Sequence, residues 1–120
     1  MWHTITEITT RGDEAAEAQV MVPAESAWFD GHFPGMPLLP GIAQLSMVEG
    51  VISQAWGPKR RAAQFTRVRF KLKIGPGTPV TVKATRSANK ADTFAFQIGT
   101  PEGIACVGTV HTRTTDAVTA

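Results

Sequence analysis

The second half of the chain alternates apolar and polar residues with a period of two. In "PVTVKATRS" Val80 and Val82 share one face, and in "TFAFQIG" the same is true of Phe94, Phe96 and Ile98. Such alternation predicts half-buried β-strands. A final strand is predicted in "GIACVGTVHTR", and turns are predicted in "GPGT", "ANKAD" and "TPEG".

The stretch "TRVRFKLKI" predicts a further strand with two contrasting faces. Its apolar face is formed by Val68, Phe70, Leu72 and Ile74, and its cationic face by Arg67, Arg69, Lys71 and Lys73. The preceding "KRRAAQ" is interpreted as a basic linker. Near the N-terminus, "EAQVMV" from Glu17 to Val22 predicts a short strand, and "HTITEITT" gives a weaker signal for another.

One helix is predicted from Ile42 to Trp56, ended by Gly57-Pro58. Residues at helical spacing are apolar, and the remaining faces also carry apolar residues, so the helix is expected to be buried. The first set comprises Ile42, Leu45, Val48, Ile52, Ala55 and Trp56, and the second Ala43, Met47 and Val51. One buried helix with mainly antiparallel strands indicates an α+β fold in which the sheet curls around the helix.

The length and composition of the chain indicate a small globular protein. Its 120 residues predict one domain over 1–120, with a core from about 18 to 112 and a frayed tail. With 42% hydrophobic and 18% charged residues it is globular, and no apolar run reaches the roughly 18 residues of a membrane span. No export signal is visible, so a cytoplasmic location is expected. The single Cys106 is interpreted as a buried thiol, and no metal site is expected.

Candidate chemistry lies in the proline-rich stretch before the helix. Pro40-Gly41 begins the helix, where free N–H groups and the helix dipole would favour an oxygen that gains negative charge. His32 lies nearby in sequence, and its imidazole titrates near neutral pH, so it is the candidate base. The residues alone leave open the alternative of a solvated or hydrogen-bonded histidine without a catalytic role.

The stretch "WFDGHFPGMPLLPGIAQL" resembles the GHFPxxPxxPG signature and central helix of the 3-hydroxyacyl-acyl carrier protein dehydratases of the FabA/FabZ type. "RVRFKLKIGPGTPVTV" is similar to the strand and Pro-Gly turn that follow the helix in that family, so the resemblance covers roughly Ala18 to Thr112. "LPGIAQL" is similar to a branch of small dehydratases of aryl-polyene-type lipid pathways. The resemblance implies a hot-dog fold, an antiparallel sheet wrapped around one long buried helix.

The resemblance also implies roles for individual residues. His32 would abstract the α-proton, and the Gly41 N–H would hold the thioester oxygen. Phe33, Pro40 and Gln44 would lie at the substrate, although Gln44 could instead bond locally. No metal or redox cofactor is implied.

The family's assisting carboxylate is replaced here by Ser46, which is too weak an acid to substitute for it. Glu49, about one turn further along the helix, could supply a displaced carboxylate. The alternatives are that Glu49 reaches solvent or pairs with a basic neighbour, and that Ser46 only packs.

Arg67, Arg69 and Lys71 are the candidate carrier-binding residues, because like charges at this spacing repel unless an anionic partner compensates them. A solvated sheet face is the alternative. An acidic acyl carrier protein suits the resembled family, and coenzyme A phosphates would use the same charges. Nucleic acid is a further option, but the stripe is expected to have no interleaved exposed aromatic residues and contains no recognised nucleic-acid motif. We expect a homodimer or a multiple of dimers, with a heterodimer with a paralogue as an alternative.

Three functions follow. The first is reversible dehydration of a 3-hydroxyacyl thioester to the trans-2-enoyl thioester, in fatty-acid or related lipid or polyene biosynthesis. The second is a catalytically weakened relative that binds acyl carrier protein or an active paralogue, which Ser46 favours. The third is a hot-dog thioesterase.

Overall fold

The computed structural model describes residues 4–23 and 39–114. These residues form one α-helix and six β-strands. In chain order they are β1 (Thr4–Arg11), β2 (Ala15–Met21), α1 (Gly41–Trp56), β3 (Arg60–Phe70), β4 (Val80–Arg86), β5 (Thr93–Thr100) and β6 (Gly103–Thr114). Both N-terminal strands, the helix and the closing strands are therefore confirmed, with boundaries shifted by a few residues. The predicted tail lies largely outside the described residues.

The strands form a single antiparallel sheet in the order β1-β2-β4-β5-β6-β3. Helix α1 connects β2 to β3 along the chain and packs on one face of this sheet. We call the opposite face the outer face. Strands β1 and β3 are the two edges, so within the described residues one long side of β3 has no strand partner.

Alternation along β4 and β5 places the predicted residues in the core, as expected. Val80 and Val82 are buried, as are Phe94, Phe96 and Ile98. They pack against the helix in one continuous cluster. Burial of these side chains is the main favourable contribution to folding, about 1.5–3 kcal/mol for each large one.

The buried face of α1 differs from the predicted one. Ile42 is 71% exposed and Leu45 is half-buried, whereas the residues facing the sheet are Ala43, Gln44, Met47, Val48, Val51 and Ile52. Because the helix is apolar on several faces, its periodicity could not select the side that the single sheet covers.

The C-terminal end of α1 is held by specific contacts. At its C-terminus the Gly57 N–H donates to Ser53 O at 2.9 Å, and Gly57 has φ 124°, a conformation that suits glycine. Trp56 donates from Nε1 to the Asp13 carbonyl oxygen at 3.0 Å, and its ring lies 4.6 Å from that of Phe94, centroid to centroid. The predicted stop at Gly57-Pro58 is confirmed.

Strand β3 corrects two predictions. The stretch interpreted as a basic linker is mostly strand, since β3 starts at Arg60, and the strand ends at Phe70 rather than Ile74. Regular alternation also fails: Phe70 is 52% exposed and Leu72 38%. The four basic residues of the predicted cationic face are all exposed, as expected, namely Arg67, Arg69, Lys71 and Lys73.

Strand β3 also contains two β-bulges, which interrupt its alternation before Arg69. Its register with β6 shifts between Ala62 and Gln64 and again between Thr66 and Arg69. Phe65 and Val68, three residues apart, both pack on the core, which strict alternation would forbid. Arg67 is the extra residue, and its φ of 55° places it in the left-handed region, at a cost on the order of 1–2 kcal/mol for a residue other than glycine.

Candidate active site

The start of α1 presents unpaired backbone donors. The N–H groups of Ala43 and Gln44 both donate to the Pro40 carbonyl oxygen at 3.1 Å. Pro40 is extended, with φ −63° and ψ 153°, and offers no side-chain cap. Among the described residues, the N–H groups of Gly41 and Ile42 have no acceptor. They point along the helix dipole and can receive an oxygen that gains negative charge.

Leu39, two residues before the first residue of α1, is anchored through both its N–H and its carbonyl group. The Leu39 N–H donates to Ile74 O at 2.8 Å, and the Leu39 carbonyl oxygen accepts from Gln44 Nε2 at 3.2 Å. Gln44 was expected either to contact the substrate or to form a local hydrogen bond, and the local hydrogen bond is present. Its Oε1 is buried and has no partner among the described residues. A role for Pro40 and Gln44 at the substrate stays a prediction.

Gly41 lies next to the tip of the Phe70 ring. A Cβ atom built on Gly41 would lie 2.7 Å from Phe70 Cζ and 3.2 Å from Cε1 and Cε2, closer than side chains normally approach. A side chain at this position would require the exposed Phe70 ring to move. Sequence reasoning assigned Phe70 to the apolar face of a strand but missed it as a neighbour of the site, because β3 and α1 are brought together only by the fold.

Glu49 is engaged with β3. Its Oε2 accepts the Ala62 N–H at 2.8 Å and lies 3.4 Å from Arg61 Nε. One turn later, the Ser53 hydroxyl donates to Arg60 O at 2.7 Å. Pairing with a basic neighbour, one of the alternatives for Glu49, is therefore present. A displaced acid role for Glu49 stays a prediction, and it would compete with both contacts.

Ser46 lies between the helix start and Glu49 along α1. Its side chain is half-buried, and its hydroxyl has no hydrogen-bond partner within the described ranges. It is five residues after Gly41, which corresponds to about 7.5 Å along the helix axis. A hydroxyl in this place can donate to or accept from a bound polar group.

The candidate base His32 and the candidate substrate contact Phe33 lie outside the described residues. Their roles therefore stay predictions.

The three candidate carrier-binding residues are brought together on the outer face. Arg67, Arg69 and Lys71 line a groove of about 570 Å³ together with Ala95, Val107 and Thr109. We call this the basic groove. Lys73 is exposed but does not line it.

Cys106 is buried in the core, as predicted. Burial raises the pKa of its thiol from 9.0 to about 11. It therefore stays protonated near neutral pH, which makes it a poor nucleophile.

A family model described as ApeI-like, ApeI dehydratase, matches residues 8–109. The chain belongs to the ApeI-like dehydratase family. This confirms the resemblance drawn from the loop and helix motif.

Solved structures show the same fold. The dehydratase heterocomplex ApeI:P from Xenorhabdus doucetiae aligns with a TM-score of 0.81 at 24% identity, covering 93% of this chain and 98% of the other. The (R)-hydratase from A. caviae involved in PHA biosynthesis aligns with a TM-score of 0.70 at 18% identity, covering 89% and 98%.

A hypothetical thioesterase protein from Streptococcus pneumoniae, solved with coenzyme A, aligns with a TM-score of 0.68 at 15% identity, covering 91% of this chain and 84% of that one. The hot-dog fold is thereby confirmed. Within the ranges 4–23 and 39–114, no helix is long and apolar enough to cross a membrane.

Proposed function

We propose that this ApeI-like protein dehydrates a 3-hydroxyacyl thioester reversibly to the trans-2-enoyl thioester. The observation that carries the proposal is the dehydratase family match over residues 8–109. The helix start supports it, because Gly41 presents an N–H without an acceptor among the described residues, next to the Phe70 ring.

In this reaction the thioester oxygen accepts the Gly41 N–H. The developing negative charge is stabilised by that donor and by the helix dipole, so the α-carbon proton becomes more acidic. His32 takes that proton. The electron pair of the broken C–H bond forms the C=C bond, and the β C–O bond breaks to release the hydroxyl as water.

The leaving hydroxyl needs a proton. Ser46 is too weak an acid to provide it, and Glu49 already accepts from Ala62 and pairs with Arg61. The imidazolium of His32, formed in the first step, is the strongest remaining acid among the candidate residues. We therefore assign both proton transfers to His32, with the Ser46 hydroxyl orienting the departing oxygen.

A second candidate function is a weakened relative that binds an acyl carrier protein or an active paralogue. The engagement of Glu49 with β3 favours it, because no described carboxylate is then free to take the family's acid position. Thioester hydrolysis is a further outcome that an assay would reveal.

The substrate would be a thioester of acyl carrier protein or coenzyme A, in fatty-acid or related lipid or polyene biosynthesis.

We also propose pairing with a second subunit, either another copy or a paralogue. Its support is the unpaired side of β3 beside the exposed Ile42, Phe70 and Leu72. A cytoplasmic location stays a prediction.

The deciding experiment incubates purified protein with a 3-hydroxyacyl-coenzyme A and separately with an acyl-coenzyme A. Mass spectrometry follows the enoyl product, and thiol release follows hydrolysis. Enoyl formation that is lost in His32→Ala supports the dehydratase. Thiol release without enoyl product would identify a thioesterase, and inactivity with both substrates would favour the weakened relative.

A further inference from the structure

Gln44 is a polar residue on the face of α1 that packs on the sheet. Its side chain is 4% exposed, and the other buried residues of that face are apolar, namely Ala43, Met47, Val48, Val51 and Ile52. Gln44 and Thr112 are the two polar side chains buried among the described residues. Burial of an amide lowers stability unless its hydrogen bonds are satisfied, so glutamine is an unusual choice for this position.

One hydrogen bond determines the orientation of the amide. Gln44 Nε2 donates to the Leu39 carbonyl oxygen at 3.2 Å. A carbonyl oxygen can only accept, so the NH2 group of the amide must face it. The amide oxygen, Oε1, is then left buried without a partner among the described residues. An apolar side chain of similar size would avoid this unpaired oxygen, so packing alone does not favour glutamine here.

The carbonyl group that Gln44 holds lies just outside the helix. The helix bonds begin one residue later, where the N–H groups of Ala43 and Gln44 both donate to the Pro40 carbonyl oxygen at 3.1 Å. Among the described residues the helix backbone provides no donor for the Leu39 carbonyl, and the Gln44 side chain supplies one. The Leu39 N–H donates to Ile74 O at 2.8 Å. The peptide groups on both sides of Leu39 are therefore held.

These bonds determine the direction of the Gly41 N–H. That N–H belongs to the same planar peptide group as the Pro40 carbonyl, so the two groups point in opposite directions and move together. The preceding peptide group carries the Leu39 carbonyl, which Gln44 holds. Between the two planes lie only φ and ψ of Pro40, and the proline ring restricts φ, which is −63°. One torsion angle therefore separates the peptide group held by Gln44 from the proposed oxyanion donor.

We propose that Gln44 is a positioning residue for the oxyanion site, because its hold on the Leu39 carbonyl orients the Gly41 N–H towards the thioester oxygen. The thioester in this statement rests on the proposed function. The orientation of the peptide group rests on hydrogen bonds that do not depend on a substrate. In this role Gln44 acts through the backbone and does not contact the reacting atoms.

An oxyanion donor is most effective when its direction is set before the substrate binds, because the protein then does not reorganise during the reaction. Without the Gln44 bond, the Leu39–Pro40 segment would let the Gly41 N–H sample other directions. The transition state would lose stabilisation, whereas binding of the acyl chain in the ground state would change little. The effect is therefore expected in kcat and not in KM.

The kinetic test compares wild type with Gln44→Met and Thr112→Val. Methionine is similar in size to glutamine but cannot donate to the Leu39 carbonyl. Thr112→Val is the matched control, because it removes a buried hydroxyl at the other end of the helix. This hydroxyl donates to Asp92 O at 2.8 Å and accepts from Arg60, four residues after the end of α1. Steady-state kinetics uses a 3-hydroxyacyl-coenzyme A, and thermal unfolding measures stability.

Gln44→Met is expected to lower kcat about 10- to 10²-fold, less than the loss of an entire oxyanion donor, with KM within about twofold of wild type. Thr112→Val should turn over substrate as wild type does, although it unfolds at a lower temperature. Equal kcat in Gln44→Met and wild type would overturn the proposal. So would a loss of turnover in Thr112→Val as large as that in Gln44→Met.

Gln44→Asn tests whether the bond, and not the polarity of the side chain, is needed. Asparagine keeps the amide but is one methylene group shorter, so the amide no longer reaches the Leu39 carbonyl. We expect kcat to fall as it does in Gln44→Met. Turnover at the level of wild type in Gln44→Asn would contradict the role of the bond. If neither variant folds, the amide is structural and the proposal is overturned.

A measurement without substrate separates this proposal from the proposed function. The chemical shift of the Gly41 N–H reports its surroundings, and ¹⁵N relaxation reports its order on the ps–ns timescale. We expect Gly41 to be as ordered as the middle of α1 in wild type, less ordered in Gln44→Met and unchanged in Thr112→Val. An unchanged shift and order in Gln44→Met would overturn the proposal. If wild type has no turnover, the proposed function fails, and the NMR comparison still decides whether Gln44 holds the Gly41 N–H.

Discussion

The ring of Phe70 occupies the space that any side chain at Gly41 would need. A Cβ on Gly41 would lie 2.7 Å from Phe70 Cζ. Phe70 is the last residue of β3 and Gly41 the first of α1, so this contact joins the end of an edge strand to the proposed oxyanion donor.

Gly41→Ala is therefore expected to displace either the ring or the helix start. A displacement of about 1 Å at an oxyanion donor lowers turnover by about 10²-fold. Steady-state kinetics would measure this, with thermal unfolding as the check on folding. The double variant Gly41→Ala/Phe70→Leu removes ring atoms that the new methyl group meets and should recover part of the activity. Equal activity in Gly41→Ala and wild type would contradict the assignment of Gly41 as the oxyanion donor.

His32→Ala is expected to lower thioester turnover by about 10²- to 10⁴-fold, the usual contribution of a positioned base. Circular dichroism should show an unchanged fold. His32→Gln is a matched variant that keeps a polar side chain but cannot exchange a proton near neutral pH. Undiminished turnover in both variants would contradict the assignment of the base.

Glu49→Gln separates a structural from a catalytic carboxylate. The Ala62 N–H and Arg61 lose a charged acceptor, so we expect a loss of stability of about 1–2 kcal/mol, measured by chemical denaturation. Turnover of the folded variant should change little. A folded Glu49→Gln without dehydratase activity would instead identify Glu49 as the displaced acid.

Ser46→Glu restores a carboxyl group at the family's acid position. If only the acid is missing, dehydration should rise, by up to about 10²- to 10⁴-fold. Ser46→Gln, similar in size but not an acid, is the control. An inactive but folded Ser46→Glu would show that the pocket has diverged beyond this one residue and would favour the weakened relative.

Cys106 predicts a pH dependence at alkaline pH. The pKa of its thiol is about 11 in the folded protein, above the value of 9.0 in the unfolded chain. The contribution of the thiol to the free energy of unfolding is therefore fully present below pH 9 and is lost as the pH rises to about 11. Cys106→Ala should remove this component of the stability-pH curve, measured by urea denaturation between pH 7 and pH 11. In the native protein a thiol reagent should react slowly. If stability depends on pH in the same way in wild type and Cys106→Ala, the raised pKa of Cys106 is contradicted.

The pattern of the chain by itself determined the elements whose signals are local. Alternation in Val80 and Val82 and in Phe94, Phe96 and Ile98 selected the inward faces of β4 and β5, because a period of two can be satisfied only by a strand with one buried side. Gly57-Pro58 determined the helix end, because backbone restrictions act within a few residues. The motif around Gly41 was sufficient to indicate the family, which the match over residues 8–109 confirmed.

Tertiary structure decided what depends on contacts between distant segments. An apolar helix can turn any of several faces inward, and only the position of the sheet left Ile42 outside. The bulge at Arg67 lets Phe65 and Val68 both contact the core, which a strand with regular alternation would not allow. No local sequence pattern predicts this bulge. The Glu49 carboxylate accepts a hydrogen bond from the Ala62 N–H, thirteen residues further along the chain. Such a bond depends on distance in space and not on separation in sequence.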